Sequence, residues 1–247
     1  MAAARGSGND RKKIIIAVAA TVVLAALVIG GVLFINSQKN STSGVSIHPG
    51  TPPVVAAGVV EKRDGVVVST GKPGATKTLD IYADFLCPIC GNFQSQYGKQ
   101  VEQAVNDGKL TVRYHMVPLL NDRSDPPGYS LDSANASLAA ADAGKFTAFH
   151  DALYNNQPKE GARGYDKAQL IQLGKDIGIT DPKFAQSVNS GAYNEQINAA
   201  FQKIENDPNL AQDFPDGSRG FGTPTVVAGG KVLSWQDSTW LQNVLAG

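Results

Sequence analysis

Apolar positions follow three regimes along the chain. From Ile14 to Ile35 they are continuous, with no charge and only Thr21 polar. As a helix this run spans roughly 33 Å, enough for a hydrocarbon core of about 30 Å. It is too long for the apolar region of a cleaved signal peptide, roughly 7 to 15 residues, and Leu33-Phe34-Ile35-Asn36 offers no small-residue cleavage site. Arg11, Lys12 and Lys13 abut its N-terminal side, while only Lys39 lies close on the other. The run therefore predicts one transmembrane helix, 14–35, with residues 1–13 as a cytoplasmic tail and everything beyond Ile35 outside the cytoplasm. From Asn36 to Ala57 the chain is rich in Ser, Pro, Gly and Thr and has neither a 2.0 nor a 3.6 period, which predicts a flexible extracytoplasmic tether over 36–57.

The third regime, 58–247, alternates between strand and helix periods. Val59-Val60 and Val66-Val67-Val68 flank an Asp64-Gly65 turn and predict a hairpin. In Lys77 to Phe85, Leu79, Ile81, Ala83 and Phe85 alternate with Thr78, Asp80, Tyr82 and Asp84, giving a strand with one buried face. Ile89, Phe93, Tyr97, Val101 and Val105 then recur at spacing four, an amphipathic helix that Gly108 ends, and Leu110 to Met116 alternates as a strand. Helical patterns fill about 131–206, at Ser133 to Ala143, Phe146 to Tyr154, Asp166 to Ile177, Asp181 to Val188 and Tyr193 to Ile204. Asp166 and Asp181 are read as N-caps, with Pro182 in a first turn. Strands at Pro224 to Ala228 and Lys231 to Ser234 surround Gly229-Gly230, and a helix over Ser238 to Leu245 follows.

Composition narrows the chemistry. Acidic and basic residues balance to a formal charge of zero, so there is no basic footprint for nucleic acid. The chain holds two cysteines, Cys87 and Cys90, and thus no stapling disulfide framework. Their Cys-Pro-Ile-Cys segment joins the end of a strand to the start of a helix. Residues three apart share a helix face, so the two sulfurs can close and reopen a disulfide with little backbone movement. Cys87, at the helix N-terminus, is favoured as a thiolate and as the attacking sulfur, with Cys90 one turn further in as the resolving one. Pro88 fits the first helical position, where its missing N–H costs nothing. A zinc site needs two more ligands, and His48, His115 and His150 lie at unrelated spacings. An inert disulfide remains the plain alternative. No metal or cofactor is expected. His115 and His150 read as core-edge or surface residues, and Trp235 and Trp240 as packing at the end of the domain.

Together, Asp84-Phe85-Leu86-Cys87-Pro88-Ile89-Cys90 at a strand end, the inserted helical block and the late Gly222-Thr223-Pro224-Thr225 resemble the DsbA-like branch of the thioredoxin superfamily, over about 59–247. The resemblance implies an α/β, thioredoxin-like fold with a helical insertion. It also implies a cis bond before Pro224, with Thr223 pairing its backbone with extended substrate. Two departures from the family pattern touch the site. Ile89 stands where many family oxidases carry a histidine, and Ile81 where an acidic residue often precedes the first cysteine by six; Asp84 sits three before instead. A carboxylate there opposes the helix dipole and points to a Cys87 thiol in the upper part of a range of roughly 3.5 to 7.5. Asp84 serves either that electrostatic and proton-transfer role or as a cap for the following helix.

The function expected on this basis is a membrane-anchored protein disulfide oxidoreductase. It would act as an oxidase on reduced or misfolded exported proteins and be recharged by a DsbB or vitamin K epoxide reductase-like membrane partner. A reductase or isomerase on the same fold, and a non-catalytic binding module, remain as alternatives.

Overall fold

A computed structural model of the protein describes residues 24, 27–33 and 35–247. The tail expected over 1–13 and most of the run at 14–35 lie outside the described residues. Within that run residues 27–33 are helical, and among the described residues no helix is long and apolar enough to cross a membrane. The chain divides after Ser41, and the second unit, Thr42–Gly247, carries the fold.

This unit is built on a six-stranded sheet of β1 (Val60–Asp64), β2 (Val67–Gly71), β3 (Lys77–Ala83), β4 (Leu110–Met116), β7 (Thr225–Ala228) and β8 (Lys231–Val232), in the order β1-β2-β4-β3-β7-β8. Only β3 and β4 run parallel, and the long helix between them, α1 (Pro88–Asn106), supplies the crossover that a parallel pair needs. The hairpin at Asp64-Gly65, both alternating strands and the end of α1 before Gly108 fall where periodicity placed them. The helical insertion runs through α2 (Tyr129–Asp142), α3 (Phe146–Asn155), α4 (Lys167–Asp176), α5 (Pro182–Ser190) and α6 (Asn194–Glu205), and α7 (Trp240–Ala246) is the last helix. Asp166 caps α4 in a reciprocal box with Gln169, and Asp181 caps α5 through the Lys183 N–H at 2.9 Å. A small hairpin, β5 (Gln212–Asp213) with β6 (Arg219–Gly220), precedes the last strands and has no counterpart in the sequence reading.

Two apolar cores flank the sheet. One gathers Leu79, Ile81, Leu110, Val112 and Val226 with Cys90, Phe93 and Tyr97 of α1, against which Trp235 and Trp240 pack with ring centroids 5.4 and 5.8 Å from Phe93. The other is formed with the insertion, by Phe85, Met116, Leu138, Phe146, Phe149 and Leu153.

Covering both faces corrects the expectation of a half-solvated β3. Asp80 is buried, with Arg113 on its two oxygens at 2.7 Å each and His115 Nε2 at 2.7 Å. Burial opposes its charge, but hydrogen bonds from His115 and Arg113 outweigh that and hold the carboxyl below its ordinary value. His115 in turn stacks on Tyr82, and His150 is buried among Phe85, Phe146 and Tyr154.

The tether expected over 36–57 is likewise corrected beyond Ser41. Ile47 is 2% exposed within the insertion core, and the Thr42 hydroxyl donates to the Arg163 and Gly164 carbonyls. Asn156 holds the His48 carbonyl at 2.7 Å, and Asn106 the Val54 carbonyl at 2.7 Å. A segment without periodicity is thus fastened by side chains that satisfy its backbone, where a free tether would leave those groups to water.

Candidate active site

β3 ends at Ala83, and residues 84–87 turn the chain into α1. Cys87 is the N-cap, with extended backbone (φ −71°, ψ 116°), and Pro88 opens the helix. The Cys87 N–H donates to the Asp84 carbonyl, and the Cys87 carbonyl accepts the first helical bond, from Gly91, each at 3.1 Å. Both sulfurs are free and buried; Cys87 is 6% exposed and Cys90 1%. Ile89, between them, is 52% exposed, an apolar side chain beside the reactive pair.

The opposite wall arrives from far along the chain. The Thr223–Pro224 peptide is cis, and the Cys87 thiol donates to the Thr223 carbonyl at 3.4 Å. Gln212, from β5, braces this loop by donating to the Gly222 carbonyl at 3.1 Å and to the Thr225 hydroxyl. Thr225 in turn donates to the Gly222 carbonyl at 2.6 Å.

The two thiols are driven apart electrostatically. A hydrogen bond from the Cys90 side chain is the largest influence bringing the Cys87 thiol down to about 6, against burial; the Thr223 side chain and the N–H groups of Cys90 and Ile89 add to it. Cys90 is pushed well above the ordinary thiol value, by burial first and by Cys87 second. One sulfur is therefore largely thiolate at neutral pH and its neighbour fully protonated, the pairing that thiol exchange needs.

Asp84 departs from the cap reading. Its carboxylate, 1% exposed, does not reach the helix: it accepts from the Leu86 N–H, the Leu120 N–H and the Ser130 hydroxyl, each at 2.7 Å. Burial pushes its pKa up to about 6 in spite of these three donors. The carboxylate thus ties the active-site turn to the loop after β4 and to the first turn of the insertion. Sequence reasoning also missed Tyr154, whose hydroxyl donates to the Asp84 carbonyl at 3.4 Å, and Gln157, whose amide donates to the Phe85 and Cys87 carbonyls. Neither lies in a motif, and each reaches the site only through the packing of α3.

A sheet with a parallel β3-α1-β4 unit, a Cys-Pro-Ile-Cys helix start and a cis-proline loop facing it define a protein of the thioredoxin class. The chain belongs to the thioredoxin family, whose model matches residues 63–244. Within it the likeness is to DsbA-type proteins. The reduced disulfide bond oxidoreductase DsbG of Mycobacterium tuberculosis is 26% identical, with 80% of this chain and 85% of that one covered and a TM-score of 0.55. Reduced DsbA of the same organism is 27% identical, covering 72% and 86%, with a TM-score of 0.54. MdbA of Corynebacterium diphtheriae, at 20% identity, shares the fold with a TM-score of 0.64 over 79% of this chain and 96% of its own. The serine/threonine-protein kinase PknE of M. tuberculosis is 33% identical over 198 residues, 76% of this chain and 33% of the kinase. The chain thus spans about a third of the length of the curated relatives it matches.

Proposed function

We propose that this protein is a membrane-anchored, extracytoplasmic thiol-disulfide oxidoreductase that acts as an oxidase of exported proteins. The observation that carries the reading is the divergence of the two thiols: Cys87 is lowered to about 6 and faces Thr223, while Cys90 is raised and enclosed. Stabilising the Cys87 thiolate stabilises the reduced pair, and a pair that prefers to be reduced gives its disulfide away.

In the oxidase direction a substrate thiolate attacks the Cys87 sulfur of the Cys87–Cys90 disulfide. The S–S bond breaks, and Cys90 leaves as a thiolate and takes up a proton. A second substrate thiolate then attacks the substrate sulfur of the mixed disulfide and releases Cys87 as its thiolate. The substrate has lost two electrons and the pair has gained them; a DsbB or vitamin K epoxide reductase-like membrane partner would remove them. In the reverse direction Cys87 attacks and Cys90 resolves. Thr223, beside Pro224, offers the backbone with which an extended substrate segment pairs, a mode that asks little of its sequence. The apolar run at 14–35 with its flanking Arg11, Lys12 and Lys13 supports an anchor with a cytoplasmic N-terminus.

Equilibration with glutathione buffers tests the direction. A potential of roughly −180 to −120 mV supports the oxidase, and one near −270 mV makes the protein a reductase. The match to a kinase of which the chain spans about a third favours a second reading, a module that binds partners or senses redox state. Peptide binding without any disulfide exchange in the same buffers would select it.

A further inference from the structure

Gln157 follows the C-cap of α3, outside every motif, yet its side chain lies across the start of α1. Its Nε2 donates at 2.9 Å to the Phe85 carbonyl and at 2.9 Å to the Cys87 carbonyl. Its Oε1 occupies the space beside Gly91: a Cβ on residue 91 would fall 2.2 Å from it. Glycine after the second cysteine is therefore what lets this amide lie on the first helical turn. One turn earlier on α3, Tyr154 donates to the Asp84 carbonyl, so three carbonyls of the turn that carries Cys87 are held from the insertion.

We propose that Gln157 is a positioning residue of the exchange site, holding the 84–87 turn and offsetting the Phe85 and Cys87 carbonyl dipoles so that the anionic form of Cys87 is favoured. Carbonyl oxygens carry partial negative charge and oppose an anion forming nearby; donors aimed at them reduce that opposition. An uncharged amide supplies the donors without the repulsion that a carboxylate brings. The other groups bearing on the Cys87 sulfur are the Cys90 and Thr223 side chains and the N–H groups of Cys90 and Ile89, with Tyr154 close enough to feel its charge, and a substitution at 157 replaces none of them. The role rests on Cys87 and Cys90 being the exchange pair.

Three variants of the full-length protein test it. Gln157→Met keeps the volume and removes both donors; Gln157→Glu puts a carboxylate in their place; Gly91→Ala displaces the amide with its new Cβ. In the reduced proteins the pH dependence of iodoacetamide alkylation at Cys87 should move upward. Gln157→Met should react about three- to fivefold more slowly at pH 6, and Gln157→Glu more slowly still. Gly91→Ala should reproduce the Met result, and have no further effect in the Gln157→Met background. The equilibrium constant with glutathione should move three- to tenfold toward a more reducing pair, about 15 to 30 mV. Folded Met and Glu variants with an unshifted alkylation profile, or a lowered unfolding midpoint as their sole change, would overturn the proposal. The alkylation profile is read on the thiol alone. It therefore decides the role of Gln157 even if glutathione equilibration showed no exchange, a result that would count against the proposed function instead.

Discussion

Replacing Asp84 by asparagine should flatten one limb of the pH dependence of stability. The folded carboxyl titrates near 6 against an ordinary value of 3.8, so the carboxylate is disfavoured in the folded state. A folded pKa raised in this way gives stability that is complete below about pH 3.8 and is lost as pH rises through about 6. At 1.36 kcal/mol per pH unit, the gap corresponds to about 3 kcal/mol over the full titration and about 2 to 3 kcal/mol between pH 4 and 7. Asparagine does not ionise. Its oxygen can keep the Leu86 N–H and the Ser130 hydroxyl, which share one carboxylate oxygen in the wild type, but its amide then meets the Leu120 N–H. That leaves a buried donor unpaired, costing about 1 to 3 kcal/mol at every pH. Asp84→Asn should therefore be clearly less stable near pH 4 and draw level with, or pass, the wild type by pH 7. Urea unfolding of both proteins in a Cys87→Ser background at pH 4, 5, 6 and 7 measures this, with no titrating Cys87 in either. Two curves that run parallel within about 0.5 kcal/mol would refute an internal carboxyl that ionises against burial.

Ile47→Ala should cost about 2 to 5 kcal/mol in the same assay, because a side chain 2% exposed leaves a cavity in the insertion core; a loss under about 0.5 kcal/mol would restore the tether reading. Arg113→Ala removes both guanidinium bonds to Asp80 and should cost about 1 to 2 kcal/mol at pH 7, discounted because half of that side chain is exposed. The loss should shrink as pH falls through the titration of folded Asp80, which lies below the ordinary 3.8; a loss that stays constant down to acid unfolding would show that packing, not charge, is at stake.

What the sequence disclosed and what it withheld divide along physical lines. Leu79-Ile81-Ala83 and Leu110-Val112 alternate because they face one continuous core, so period alone locates them. Cys87 and Cys90 announce themselves because their chemistry needs fixed spacing at a helix start. Asp166 and Asp181 are legible because a cap is made within three residues. The partners of Asp84 lie 36 and 46 residues away at Leu120 and Ser130, and Gln157 lies 70 residues from Cys87; contacts of that kind leave no periodic trace. Ile47 was hidden differently, with Val45 as its one apolar neighbour among Ser, Gly and Pro, in a segment docked by side-chain bonds to its backbone. Asp80 was read as solvent-facing because its alternation is genuine, while the groups that cover it, Arg113 and His115, sit on the next strand.

The contact between the Cys87 thiol and the Thr223 carbonyl joins residues 136 apart, with the whole helical insertion strung between them. Loop closure of that size is slow, and it must wait until β7 has found β3. A chain emerging from synthesis therefore carries its dithiol well before the wall that faces it. Cys90 and the first turn of α1 act on Cys87 from within a few residues, whereas the Thr223 wall depends on the last strands joining the sheet.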